Sequence, residues 1–166
     1  MSPIDVVLLG GMGVAAVTDL RSGKIPNALT FTMMIMGIVM NATLGGDPLV
    51  GLIGCAAGFA IHYPLWMLGV EKAGDAKLFM GIGACVGWRE LVEASIWLAI
   101  VYVPVALLLL TVQGKLPNLL KSVRYLLDRA KGVASEPPEQ TFVRAGPIIL
   151  VAGLLGRFTG WLAGLI

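Results

Sequence analysis

Apolar residues run along this chain in long stretches interrupted by Gly, Pro and charge. The stretches fall at roughly 4–20, 28–44, 49–70, 76–88, 92–112 and 146–166, and each predicts a membrane-crossing helix. The fourth is short: at 1.5 Å per residue, positions 76–88 cover only about 20 Å. That helix is expected to start deep in the protein or to extend into 89–91, with a cavity beside it. Between the last two stretches, Leu116, Leu119, Leu120, Val123, Leu126 and Leu127 recur at helical spacing, while Lys121, Arg124, Asp128, Arg129 and Lys131 take the other positions. This pattern predicts an amphipathic helix lying on a membrane surface within 113–145, followed by a linker from Gly132 to Gln140 that contains Pro137 and Pro138. The expected architecture is all-α. It is a polytopic membrane helix bundle, about six transmembrane helices plus a cytoplasmic amphipathic helix, forming one domain over 1–166 without internal repeats. Met1 to Asp5 carries an acid and lacks the basic start of a cleavable signal, so the first span is expected to persist.

Composition supports the membrane reading. Hydrophobic residues make up 57% of the 166 and charged ones 13%, about half the roughly 25% with which soluble domains cover their surfaces. An ordinary soluble domain is therefore excluded. A formal charge of +2 gives no reason to expect nucleic acid as a partner. Cys55 and Cys85 lie in separate apolar stretches without CxxC spacing, which suggests neither a zinc site nor a disulfide framework.

The placement of charge says more than its total. Of the twelve basic residues, Arg21, Lys24, Lys72, Lys77, Lys115, Lys121, Arg124, Arg129, Lys131 and Arg144 fall on one side of a six-span frame. Arg89 falls on the other side, and Arg157 lies within a span. The excess of basic residues in cytoplasmic loops then orients the chain, with loops 21–27, 71–75 and 113–145 inside and both termini periplasmic.

Ionisable groups near a bilayer are costly, so each needs a reason. Asp19 ends the first span, where the helix dipole disfavours an anion, and is followed by Leu20-Arg21-Ser22-Gly23-Lys24-Ile25-Pro26-Asn27. It reads either as an interfacial acid paired with Arg21 or Lys24 or as a reactive group. Asp75 stands in Glu71-Lys72-Ala73-Gly74-Asp75-Ala76-Lys77, just before the fourth span, where a helix N-cap would explain it equally well. The topology sets both carboxylates at cytoplasmic helix ends, at similar depth. Bundle packing could bring them face to face as a pair in which one ionised group activates water and one protonated group polarises a carbonyl. Gly74 removes a side chain beside Asp75, which would let an extended peptide backbone approach.

These stretches resemble the type IV prepilin peptidases, membrane-embedded aspartic endopeptidases of the GxGD kind. The likeness rests on Asp19 through Asn27 and on Gly74-Asp75-Ala76-Lys77-Leu78 running into Gly81-Ile82-Gly83-Ala84. Gly74 and Asp75 fall on the last two positions of GxGD, and Lys77 matches a lysine often found two residues later. Together with the Gly146-Pro147 span the likeness covers nearly the whole chain and is similar to the short form associated with tight-adherence or Flp-type pili.

The resemblance implies catalytic Asp19 and Asp75, supported by Gly74, Lys77, Lys72, Pro26 and Asn27, with no metal or cofactor. It implies a bacterial inner-membrane enzyme that removes the basic leader of prepilin or pseudopilin substrates at the cytoplasmic face. The substrate's hydrophobic helix and the lipid bilayer would be its partners. Nothing resembles the cytoplasmic methyltransferase domain of longer members. One departure is Lys72, where the first glycine of GxGD falls; its ammonium either reaches Asp75 or snorkels to the phosphate layer. A small transporter that binds a cation at the two acids and a silent pilus-assembly factor are the alternative readings.

Three further features invite structural explanations. His62 reads as a hydrogen-bonded packing residue or a modulator of the site. Arg157 reads as snorkelling or paired with Glu90 or Glu93. Gly10, Gly11 and Gly13 in the first span and Gly81, Gly83 and Gly87 in the fourth read as small-residue faces whose contact would draw Asp19 towards Asp75.

Overall fold

A computed structural model of the chain describes residues 2–44, 47–67, 70–114, 117, 121, 123–125, 127–128, 131–132 and 144–159. The helices α1 (Pro3–Ser22), α2 (Asn27–Thr43), α3 (Pro48–Met67), α4 (Ala73–Val86), α5 (Trp88–Val112) and α6 (Gly146–Thr159) follow one another, and no strand occurs among the described residues. Pro3–Ser22, Pro48–Met67 and Trp88–Leu109 are long and apolar enough to cross a membrane, while α2 and α6 are shorter apolar helices. Val6, Ile35, Leu52 and Ile100 are exposed, as lipid-facing positions of a membrane bundle are. The chain divides into two compact units, Met1–Val101 with Arg144–Ile166, and Tyr102–Val143.

The first unit is built around α4. Its 14 residues span about 21 Å at helical rise. Nine of them, from Asp75 to Cys85, are buried. α2 and α3 flank it, and glycines set how closely they approach. A Cβ on Gly54 of α3 or Gly83 of α4 would run into the other's backbone, and one on Gly58 would meet the backbone of Met80. From α2, the Asn41 amide nitrogen donates to the carbonyls of Ala84 (2.9 Å) and Cys85 (3.1 Å). It thereby serves acceptors that the end of α4 leaves open.

Helix ends follow local chemistry. The Ser2 hydroxyl accepts from the Asp5 N–H and the Asp5 carboxylate accepts from the Ser2 N–H, a capping box with Pro3 in the first turn. α1 stops at Gly23, whose φ of 68° lets its N–H return to the Asp19 carbonyl. Gly87, at φ 83°, ends α4 and lets α5 begin at once with Trp88. The short fourth span therefore does not extend into 89–91, and the fifth begins earlier than its apolar run. Arg89 and Glu90 lie in its first turn.

One packing expectation needs correction and another is met. The glycine faces of the first and fourth spans do not meet directly: Cβ atoms on Gly11 and Gly81 would both strike Met33 of α2, and Gly10 and Gly13 face open space. Arg157 pairs with Asp5 (2.9 Å) and Glu90 (2.9 Å), tying α6 to the starts of α1 and α5. Glu90 is the partner the sequence offered, and Asp5 adds a second one.

The second unit holds residues 102–112 of α5, with Pro104 inside the helix. Residues 117, 121, 123–125 and 127–128 are helical, with Val123 and Leu127 exposed. Half of the stretch 116–131 that carries the amphipathic helix expected within 113–145, and nearly all of its linker, lie outside the described residues.

Candidate active site

Asp19 lies in the last turn of α1 and is completely buried. An anion there opposes its own helix dipole. Another helix compensates: Asp19 Oδ2 accepts from the Gly146 N–H at 2.9 Å, the first peptide of α6, so the carboxylate rests on that helix's positive end. A Cβ on Gly146 would press to within 2.8 Å of the Asp19 Cβ and 3.2 Å of the Ala15 carbonyl, so close approach of α6 depends on glycine here. The Asp19 partners are thus Gly146 and Lys72, not Arg21 or Lys24 as charge proximity in the sequence suggested.

Lys72 joins the two carboxylates. Its Nζ lies 3.4 Å from Asp19 Oδ1 and donates to the Gly23 carbonyl at 3.3 Å, while its backbone N–H donates to Asp75 Oδ2 at 3.3 Å. Lys72 is the N-cap of α4 and Asp75 its third residue, so Asp75 closes the first turn from the N3 position and is not itself the cap. Asp75 is 4% exposed, and its Oδ1 is buried with no hydrogen-bond partner among the described residues. Leaving a buried carboxylate oxygen so is costly.

The supporting residues also converge. Lys77 Nζ donates to Asn27 Oδ1 at 2.9 Å and lies 5.7 Å from the Phe31 ring, linking α4 to the start of α2. Pro26 is the α2 N-cap, with extended backbone. A Cβ on Gly74 would meet the Ile25 side chain at 3.2 Å, so the glycine admits the 25–27 segment. The two motifs therefore pack on each other. A cavity of ≈ 330 Å³ runs beside α4, lined by Phe31, Phe59, Tyr63 and Trp66 and bounded by Ala76 and Lys77.

Sequence reasoning missed Gly146 as a ligand of Asp19, although Gly-Pro opening an apolar run marks a helix start. It also missed the partners of His62, which is buried between Glu71 and Ser95. Among the described residues no three of His, Cys, Asp or Glu converge as metal ligands would.

A family model described as "Type IV leader peptidase family" matches residues 6–114. A prepilin peptidase EppA of Methanothermobacter thermautotrophicus is 35% identical over 74 residues, 41% of this chain and 19% of the relative. A prepilin leader peptidase/N-methyltransferase of Klebsiella pneumoniae is 28% identical over 94 residues, 52% of this chain and 41% of the relative. A preflagellin peptidase of Methanocaldococcus jannaschii is 32% identical over 85 residues, 46% of this chain and 35% of the relative. The chain thus covers well under half the length of these relatives, and no solved structure matches it. Residues 6–114 contain Asp19, Lys72 and Asp75, and with two thirds of its length matched the chain belongs to the type IV leader peptidase family.

Proposed function

We propose that this chain is an aspartic endopeptidase that removes the leader of prepilin-like membrane substrates, with Asp19 and Asp75 as its catalytic pair. The observation that carries the reading is the junction at Lys72, which contacts one buried carboxylate through its ammonium and the other through its backbone N–H. Asp19, facing that cation, is the carboxylate placed to take a proton from the attacking water. Asp75, whose Oδ1 has no hydrogen-bond partner among the described residues, would hold the proton that polarises the scissile carbonyl. The names of the matched relatives support prepilin-like substrates. The basic loops around the pair support a site at the cytoplasmic face of a bacterial inner membrane.

The test is co-expression with a candidate prepilin, following the loss of leader mass. Asp19→Asn and Asp75→Asn should each abolish cleavage, because one carboxylate cannot act as base for water and acid for the carbonyl together. Both variants should fold, since Asn preserves shape and, in Asp75→Asn, the amide oxygen can still accept from the Lys72 N–H. Cleavage at the parental rate by both variants would overturn the assignment.

A further inference from the structure

We propose that His62 is a positioning residue for the catalytic pair, acting through Glu71 on the first turn of α4; the inference rests on the peptidase reading above. His62 lies in α3 and is 1% exposed. Its Nδ1 meets both oxygens of Glu71, at 3.1 Å and 2.9 Å. A carboxylate only accepts, so Nδ1 carries the proton in this contact. Nε2 lies 3.0 Å from the Ser95 hydroxyl of α5, which also reaches the Leu91 carbonyl at 2.8 Å. The imidazole lies flat on Phe79 of α4, with centroids 3.8 Å apart and planes within 9°.

These contacts bracket Asp75. Glu71 immediately precedes Lys72, whose two nitrogens meet the two carboxylates, and Phe79 stands one helical turn beyond Asp75 on the same face. A single ring therefore holds the chain before and after the reacting group and braces it against α3 and α5. Ser95, buried His62 and half-buried Glu71 in a row also resemble a nucleophile relay. Here the row serves as a tether: with Nδ1 protonated the ring accepts at Nε2, and the single Ser95 proton, for which the Leu91 carbonyl is the alternative acceptor, makes Ser95 the far anchor of the ring. Positioning at this precision is worth much in rate: misplacement of a reacting group by 1 Å costs about 10²-fold.

The experiment measures kcat and KM per folded molecule for cleavage of a purified prepilin in detergent. His62→Ala should lower kcat about 10²-fold with KM changed less than about 2-fold, the signature of lost geometry at the reacting centre. The Asn amide nitrogen falls where Nδ1 lies, whereas that of Gln falls where Nε2 lies. His62→Asn should therefore recover most of the lost kcat and His62→Gln little of it. A parental kcat in His62→Ala, or equal rates for the Asn and Gln variants, overturns the proposal. Should His62→Ala fail to fold, Glu71→Ala removes the same tie from the loop side, and its kcat decides the matter in either direction. Asp19→Asn and Asp75→Asn, run alongside, separate the two readings. Active Asn variants overturn the catalytic pair itself, whereas inactive ones beside a fully active His62→Ala overturn the positioning role alone.

Discussion

Lys72 offers its ammonium to Asp19 and its backbone N–H to Asp75, so side-chain substitution separates the two contacts. Lys72→Gly keeps the N–H and leaves Asp19 its bond to Gly146, and glycine is an acceptable N-cap. Cleavage should stay at the parental level or rise, because a long cation beside the reacting groups is removed. Lys72→Met, which removes the charge and keeps the bulk, should gain less than Lys72→Gly. If kcat falls in both variants, the ammonium is itself part of the active site. At this scale the sequence exposed Asp19, Lys72, Asp75 and the Asn27 and Lys77 motif positions, because each breaks an apolar pattern. It hid the partners. Gly146 reaches Asp19 across 127 residues and Lys72 across 53, and no local spacing encodes such contacts.

Among the elements, α3 and α4 approach each other through glycines, and the helix glycines divide by what lies opposite them. Gly54 and Gly83 face each other backbone to backbone, whereas Gly10 in α1 faces open space. Gly83→Val should therefore destabilise the bundle by about 2 kcal/mol or more as α3 and α4 are forced apart. Gly10→Ala should stabilise it by about 0.5–1 kcal/mol through helix propensity. Thermal unfolding of the two variants in detergent checks the contrast, and equal midpoints would contradict the close packing of α3 on α4. Six apolar runs anticipated these helices because hydropathy reports burial and lipid contact alike. The same property obscured where α5 starts. Arg89 and Glu90 fall between the fourth and fifth apolar runs, yet both belong to α5, where Glu90 meets the Arg157 the sequence had offered as its partner.

Across the whole molecule, the charged groups sort to opposite ends of α1. Asp5 joins Arg157 and Glu90 at its start, and about 20 Å along the helix, at 1.5 Å per residue, Asp19 joins Lys72. Arg21, Lys24, Lys77 and Arg144 cluster in sequence with the second group, while Arg89 and Asp47 flank turns at the first. The excess of basic residues at the Asp19 end predicts that this end faces the cytoplasm. Lys24 and Asp47 are both exposed, so single cysteines placed there report the orientation once Cys55 and Cys85 are replaced by alanine. That background should itself still cleave, because neither thiol touches the carboxylate pair. A membrane-impermeant maleimide should label position 47 in intact cells and position 24 only after permeabilisation. The reverse pattern would set Asp19 and Asp75 at the outer face, where a leader retained in the cytoplasm never meets them. Cleavage observed together with that pattern would require the substrate leader to cross the membrane first.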